Sequence, residues 1–451
     1  MAAPTFSAGG LSSGMDWNGI IDSLVSLERR PITLLQQRQS AVKSQLSALG
    51  VLASRLSALE TAVEGLGKSG ALALKVASAP ASVAAVAGTR AVAGRYEVRV
   101  ESLASGAKSR SAGFAAGETV RGGTLGLTVM GKPYTVAIAD GASLDEVAYA
   151  LDHAGAPITA TVLDDGTTRY LSVTPLEAGY PVGGAPTDAL SIVETSTGIR
   201  GQPLGLSLFR TAANAVVHVD GLRFERSSNE VAGAVPGTTL SLKATSTAAE
   251  DLVVAHDLDA TAARLQAFVD AYNGAIGFVQ QQLNVTEASD RASTLAGDAA
   301  VRGLQAALQR TVSAATGPGA DVRSLADVGV KSERNGSLSL DRETLAAAIA
   351  RDPVAVDELF TAKETGLAAL VSDLVDRQTD SVDGILSGRQ KSLDGQLDRM
   401  ADDALRLEAR LDAYRSRLIQ QFTAMENVVG GLRSIGNYLT QVSNQGTGDK
   451  S

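Results

Sequence analysis

LDATAARLQAFVDAYNGAIGFVQQQL, residues 258–283, carries Leu258, Ala262, Leu265, Val269, Tyr272, Ile276, Val279 and Leu283 at alternating steps of four and three. That spacing keeps one apolar stripe on one side of an α-helix for about seven turns. A stripe without a fault predicts lengthwise packing against other helices. The same signature stands at 392–418, where Leu393, Leu397, Met400, Ala404, Leu407, Leu411, Tyr414 and Leu418 repeat it. Phe422, Met425, Val429 and Leu432 continue that seam after a four-residue phase shift. Upstream, Val42, Leu46, Leu49, Leu52, Leu56, Leu59, Val63 and Leu66 form a matching seam with one discontinuity near Leu49. Gly65, Gly67 and Gly70 then end it.

The residues between these helices change period. Tyr96 to Val100 alternates with period two, as do Val216 to Val219 and, more loosely, Leu240 to Leu242. Turn signals are dense at Asp140-Gly141, Asp165-Gly166, Asp220-Gly221 and Pro236-Gly237. Ser143 with Glu146 predicts one capped helix running through Ala150. Asn335-Gly336 between Val330 and Leu340 predicts a hairpin with a type I′ turn. Asp341 reads as a helix N-cap, and Asp352-Pro353 as a cap followed by proline in the first turn.

The fold class is therefore α+β and multidomain: a discontinuous coiled-coil stalk formed by both chain ends, with an inserted β-rich head in two parts. The expected divisions are a leg helix at 1–40, the stalk at 41–75 and 253–419, and a C-terminal leg and tail at 420–451. The inner head is expected at 76–117 and 206–252, with the outer head inserted at 118–205.

Charge separates stalk from legs. Residues 389–420 hold 13 charged side chains, so that outer face is solvated; Asp402–Arg406 and Asp412–Arg415 have pairing distance along a helix, worth about 0.3 kcal/mol each. From Gln421 to Gly448 only Glu426 and Arg433 are charged. Monomers seldom leave so much weakly charged apolar helix uncovered, so residues 1–40 and 420–451 are expected to meet partner subunits. An antiparallel coiled coil within one subunit also fits. Trp17, the only tryptophan, suits either an interface anchor or an internal one.

Composition narrows the chemistry. The 451 residues carry a net charge of −9 with no run of like charge, which argues against nucleic-acid binding. Cysteine is absent, so disulfides and thiolate chemistry are excluded. That absence fits a chain that stays unfolded and uncrosslinked during export, and fits lineage bias equally. Residues 1–21 carry one charge, Asp16, without the basic and apolar regions of a cleaved signal peptide. No bilayer span is expected; Ala71–Gly88 contains Lys75 and Pro80. His153, His218 and His256 lack metal-ligand spacing, and no nucleophile elbow or phosphate-binding glycine loop occurs. Asp164-Asp165-Gly166 lacks the calcium-loop pattern and reads as a hairpin tip. Neither an enzyme nor a cofactor is expected.

Four segments resemble one family, the flagellar filament cap protein or flagellar hook-associated protein 2. They are Gly10 to Asp16 with Ile20, Ile21, Leu24, Glu28, Arg29 and Pro31; then Val219-Asp220-Gly221 with Arg226 to Asn229 and Pro236 to Leu240. The third runs from Leu295-Ala296-Gly297-Asp298 through Gly329-Val330, Asp341 and Asp352-Pro353 to Leu359-Phe360, and the fourth is Gly384-Ile385-Leu386 with Phe422 to Glu426. They stand in family order across nearly the whole chain, with 118–205 least distinctive. The resemblance implies an extracellular homo-oligomeric cap, with five subunits expected, whose legs reach onto flagellin. It also implies an export chaperone near the C-terminus and passage through the flagellar type III export apparatus. Some members adhere to host mucin, which the resemblance adds to the expected partners. The interface residues expected are Leu11, Trp17, Ile20, Ile21, Leu24 and Leu27 on the N-terminal leg. On the C-terminal leg they are Phe422, Met425, Val429, Leu432, Ile435 and Leu439. The stalk seam is assigned to Leu46, Leu49, Leu56, Leu59, Leu397, Leu407, Leu411 and Leu418. Alternatives are another axial flagellar protein, of the hook–filament junction type, or a stalked surface adhesin.

Overall fold

The computed structural model describes residues 16–285, 291–317 and 321–446. They form two compact units. One comprises the chain up to Gly67, Arg264–Ala348 and the chain from Val354 onward; the other comprises Lys68–Ala263 with Ile349–Pro353.

Helix α1 (Trp17–Glu28) is followed after Arg29 by α2 (Arg30–Ser69). Pro31 explains the break, because it has no amide hydrogen to offer the carbonyl of Leu27. Gly70, at φ 77°, then ends α2 in the left-handed conformation that glycine adopts at least cost. A window of α2 is long and apolar enough to cross a membrane. Its Leu49, Leu52, Leu56 and Leu59 are fully buried and form the inward face of the helix, while Val51 between them is exposed.

The second unit begins with β1 (Leu74–Ser78), β2 (Val83–Ala87) and β3 (Gly94–Ser102). It continues with β4 (Lys108–Arg110), β5 (Gly123–Val129), β6 (Lys132–Ile138), α3 (Leu144–Asp152), β7 (Ile158–Asp164), β8 (Arg169–Pro175), β9 (Leu190–Ser196) and β10 (Ser207–Arg210). It closes with β11 (Ala215–Val219), β12 (Leu222–Arg226), β13 (Glu230–Val235), β14 (Thr238–Leu242) and β15 (Glu250–His256). Every described pairing between these strands is antiparallel.

Two cores divide this unit. A five-stranded sheet, β1-β15-β3-β11-β12, and a three-stranded sheet, β13-β14-β2, share the inner core around Val98, Val217, Val231, Leu240 and Leu252. A four-stranded sheet, β10-β4-β8-β7, the sheet β6-β5-β9 and helix α3 share the outer core around Phe114, Leu125, Leu151 and Val173. The outer core reaches from Ala107 to Ala212, wider than the expected 118–205. Its flanking strands β4 and β10 are three and four residues long, too short to show alternation in sequence.

Local chemistry explains the turns. Ser143 and Glu146 form the expected capping box on α3. Asp165 folds the β7–β8 tip, its carboxylate accepting from the amides of Thr167 and Thr168. Met130-Gly131 and Asp220-Gly221 close two-residue hairpins with positive φ at both positions, the conformation matched to strand twist.

The first unit resumes at Arg264 within α4 (Leu258–Leu283); the elements that follow are α5 (Ala299–Ala314), β16 (Val330–Ser332), β17 (Leu338–Leu340), α6 (Arg342–Arg351), α7 (Pro353–Thr361), α8 (Leu367–Thr379) and α9 (Ile385–Gly446). The β16–β17 hairpin corrects one expectation. Asn335 has ordinary negative φ and only Gly336 is left-handed, at 81°. The Gly336 amide donates to the Glu333 carbonyl and the Glu333 amide to the Ser337 carbonyl, so the loop has three residues ending in a glycine bulge. Asn273 on α4 holds this hairpin through paired bonds to the backbone of Leu338. Asp298 caps α5 and binds Arg389 of α9 at 2.6 Å. Tyr272, inside the helical core, has its phenol pushed up to about 12 by burial.

Candidate assembly interface

Asp16 caps α1 by accepting a hydrogen bond from the Gly19 amide at 3.0 Å. The helix that follows turns Trp17 and Ile21, one turn apart, onto α9; they are 6% and 4% exposed. Trp17 stacks on Phe422 with ring centroids 4.7 Å apart and planes 30° from parallel. Its indole N–H donates to the carboxylate of Glu426. One turn beyond, Asp22 accepts from Arg415 at 3.0 Å across the exposed margin. Residue numbers rise on α1 as they fall on α9, so the two helices pair antiparallel within one chain.

This pairing divides the residues expected at an interface. Trp17 and Ile21 face their own chain, whereas Ile20, Leu24 and Leu27 are exposed. Leu11 lies outside the described residues. In the stalk, Leu49, Leu56, Leu59, Leu411 and Leu418 are buried, and Leu46, Leu397 and Leu407 are half-buried.

Past Leu418 the inward positions are Phe422, Glu426 and Val429. Met425 and Leu432, expected in the seam, are exposed instead. The inward face follows a step of four from Phe422 to Glu426, because the acid meets the indole N–H. Glu426 is thus a site residue that apolar periodicity passes over; its signal was being one of only two charges from 421 to 448. The expected ion pairs also re-partner: Arg406 binds Asp403 rather than Asp402, and Arg415 reaches Asp22 rather than Asp412.

Beyond the pairing with α1, α9 continues with every side chain from 431 to 441 exposed. Met425, Val428, Leu432, Ile435 and Leu439 recur at steps of three and four, forming one apolar stripe, the last four 57–63% exposed. Only Arg433 interrupts the polar side with charge. Such a surface can bind another apolar helix face.

Elsewhere the candidate chemical groups have structural partners. His218 contacts Glu101 at 2.6 Å, and the histidine beside it holds the Glu101 carboxyl below the usual range. His153 stacks on Tyr149. Among the described residues no group of three or more His, Asp or Glu is placed to hold a metal.

Known proteins align with this arrangement. The profile of the flagellar hook-associated protein 2 N-terminus matches residues 13–107, and that of its C-terminus matches 212–434. The chain is 28% identical to the A-type flagellar hook-associated protein 2 of Pseudomonas aeruginosa, covering 96% of each chain. It is 26% identical to flagellar hook-associated protein 2 of Escherichia coli K12, covering 97% of this chain and 98% of that one. The crystal structure of the flagellar cap protein FliD D1-D2-D3 domains from Escherichia coli superposes with a TM-score of 0.65 at 24% identity. That match covers 77% of this chain and all of the other.

Proposed function

The chain belongs to the flagellar hook-associated protein 2 family, and on that footing we propose that it caps the distal tip of the bacterial flagellar filament. It is a structural protein, acting outside the cell, and its work is to hold and place other subunits. The observation that carries this reading is the apolar stripe from Met425 to Leu439, exposed on a helix already paired through its other residues. Each of those side chains contributes roughly 1.5–3 kcal/mol when buried, before ordering costs are subtracted.

On this reading several copies associate into a cap, with five as the proposed number. The legs, α1 with the end of α9, rest on flagellin and guide each emerging subunit into place. Their contacts are apolar and carry few charges, so neighbours can exchange without breaking buried ion pairs. Leu24 and Leu27 on α1, with Leu432, Ile435 and Leu439 on α9, are the proposed contact residues. The protein is proposed to leave through the flagellar type III export apparatus without a cleaved signal, held beforehand by a chaperone at its C-terminal region.

The experiment is a cell whose only copy ends at Gln420. It should secrete flagellin into the medium, build no full filaments and fail to swim. Immunoblotting of the medium must find the truncated chain there, so that lost export is separated from lost capping. Normal filaments and swimming would reject the capping role; impaired surface attachment alone would favour an adhesin.

A further inference from the structure

Where α1 breaks into α2, a cleft of about 480 Å³ opens between α2 and α9. Leu34, Leu35 and Leu407 supply its apolar lining, and Arg38, Asp403, Arg406 and Arg410 its charges. A second cleft of about 980 Å³ shares Leu34 and Arg38 with the first and continues along α2 to Gln45. Together they follow α2 from Pro31 for about 21 Å, the length of four helical turns.

The charge balance of the first cleft runs against that of the chain. Three guanidinium groups face one carboxylate there, a surplus of two positive charges in a protein of net charge −9. Asp403 is engaged by Arg406. Arg38 and Arg410 are exposed and have no ionic partner among the described residues. Leu34, on the same rim, is 57% exposed although Ile32 and Val42 on α2 are buried.

We propose that this groove docks an acidic amphipathic helix from a partner protein. An apolar stripe at helical spacing would seat on Leu34, Leu35 and Leu407, the manner in which helices enter grooves. Carboxylates flanking that stripe would face Arg38 and Arg410, whose planar guanidinium groups can bind them through two hydrogen bonds. A basic helix of the same shape is repelled, so the charge selects the partner. This recognition belongs to the stalk and stands or falls separately from capping.

The absence of cysteine supplies a clean test, since Leu34→Cys in the full chain offers a single thiol for an environment-sensitive fluorophore. The probes are two synthetic helices of about 18 residues, with leucines at helical spacing, flanked in one by glutamates and in the other by lysines. The acidic peptide should change the emission saturably and bind about tenfold tighter than its lysine twin, the preference shrinking at roughly 0.3 M salt. Anisotropy of the same peptides, dye-labelled, on the unlabelled chain repeats the comparison with nothing attached in the cleft. In an Arg38→Glu, Arg410→Glu double variant that melts like the parent, the preference should invert. Equal binding of the two peptides, no binding in either assay, or a preference that survives the charge reversal overturns the proposal.

Discussion

Trp17 joins α1 to α9 through its stack on Phe422 and its hydrogen bond to Glu426. Aromatic pairs of this kind contribute about 0.5–1.5 kcal/mol beyond the area they bury. Phe422→Ala should therefore loosen α1 from α9 and move the emission of this lone tryptophan towards that of an indole in water. Unchanged emission would place the burial of Trp17 elsewhere than against α9. Asp341 gives a residue whose effect depends on pH. The Lys331 ammonium first, then the amide and hydroxyl of Thr344, hold its carboxyl well below the usual carboxylate range. The folded state thus binds a proton less readily than the unfolded chain does. Its contribution is complete above the ordinary aspartate pKa of about 4 and is lost as pH falls from there towards the lower folded value. Asp341→Asn should melt below the parent at pH 7, and the gap should close as the solution is acidified below about pH 4. A gap that stayed constant through that range would exclude this carboxylate as its source.

Helix α9 illustrates how far periodicity carries at the scale of an element. Leu393, Leu411 and Leu418 are inward as their spacing requires, since burial on a helix follows phase wherever a packed partner runs alongside. Leu411→Asp places a carboxylate in that seam and should cost about 3 kcal/mol, whereas Asp412→Leu, one position round the helix, should be mild. Equal melting temperatures for the two would contradict the phase. Beyond Leu418 the phase is set by Trp17 and Glu426, which are 409 residues apart in sequence. No local spacing encodes that contact. The β16–β17 hairpin has the same lesson at shorter range: Asn335-Gly336 marks the turn, but the pairing of Glu333 with Ser337 leaves three loop residues rather than two.

In the molecule as a whole, two β cores lie in a single unit and the helices build another. Cores that share few side chains can unfold as separate cooperative steps. Leu127, 1% exposed in the outer core, tests this. Leu127→Ala should cost about 2–5 kcal/mol and lower one calorimetric transition while leaving the helical one in place. A single transition shifted as a body would show instead that the units unfold together.

Patterns spanning a few residues specify the classes of element and their order. Steps of three and four, period-two runs, the Ser143 capping box and the glycine turns each act over a few residues, and nearby atoms decide them. The same patterns specify the buried faces of α2 and α4, because an apolar stripe held to one side of a helix leaves one face to bury. The tertiary structure alone decided that Trp17 and Ile21 turn to their own chain while Leu24 and Leu27 face outward, since all four read alike as apolar. It alone decided that Arg415 meets Asp22, that the short strands β4 and β10 flank the outer core, and that Arg38 and Arg410 share one groove. Each depends on which distant segment arrives alongside, and that is settled by packing the complete chain rather than by any residue's neighbours in sequence.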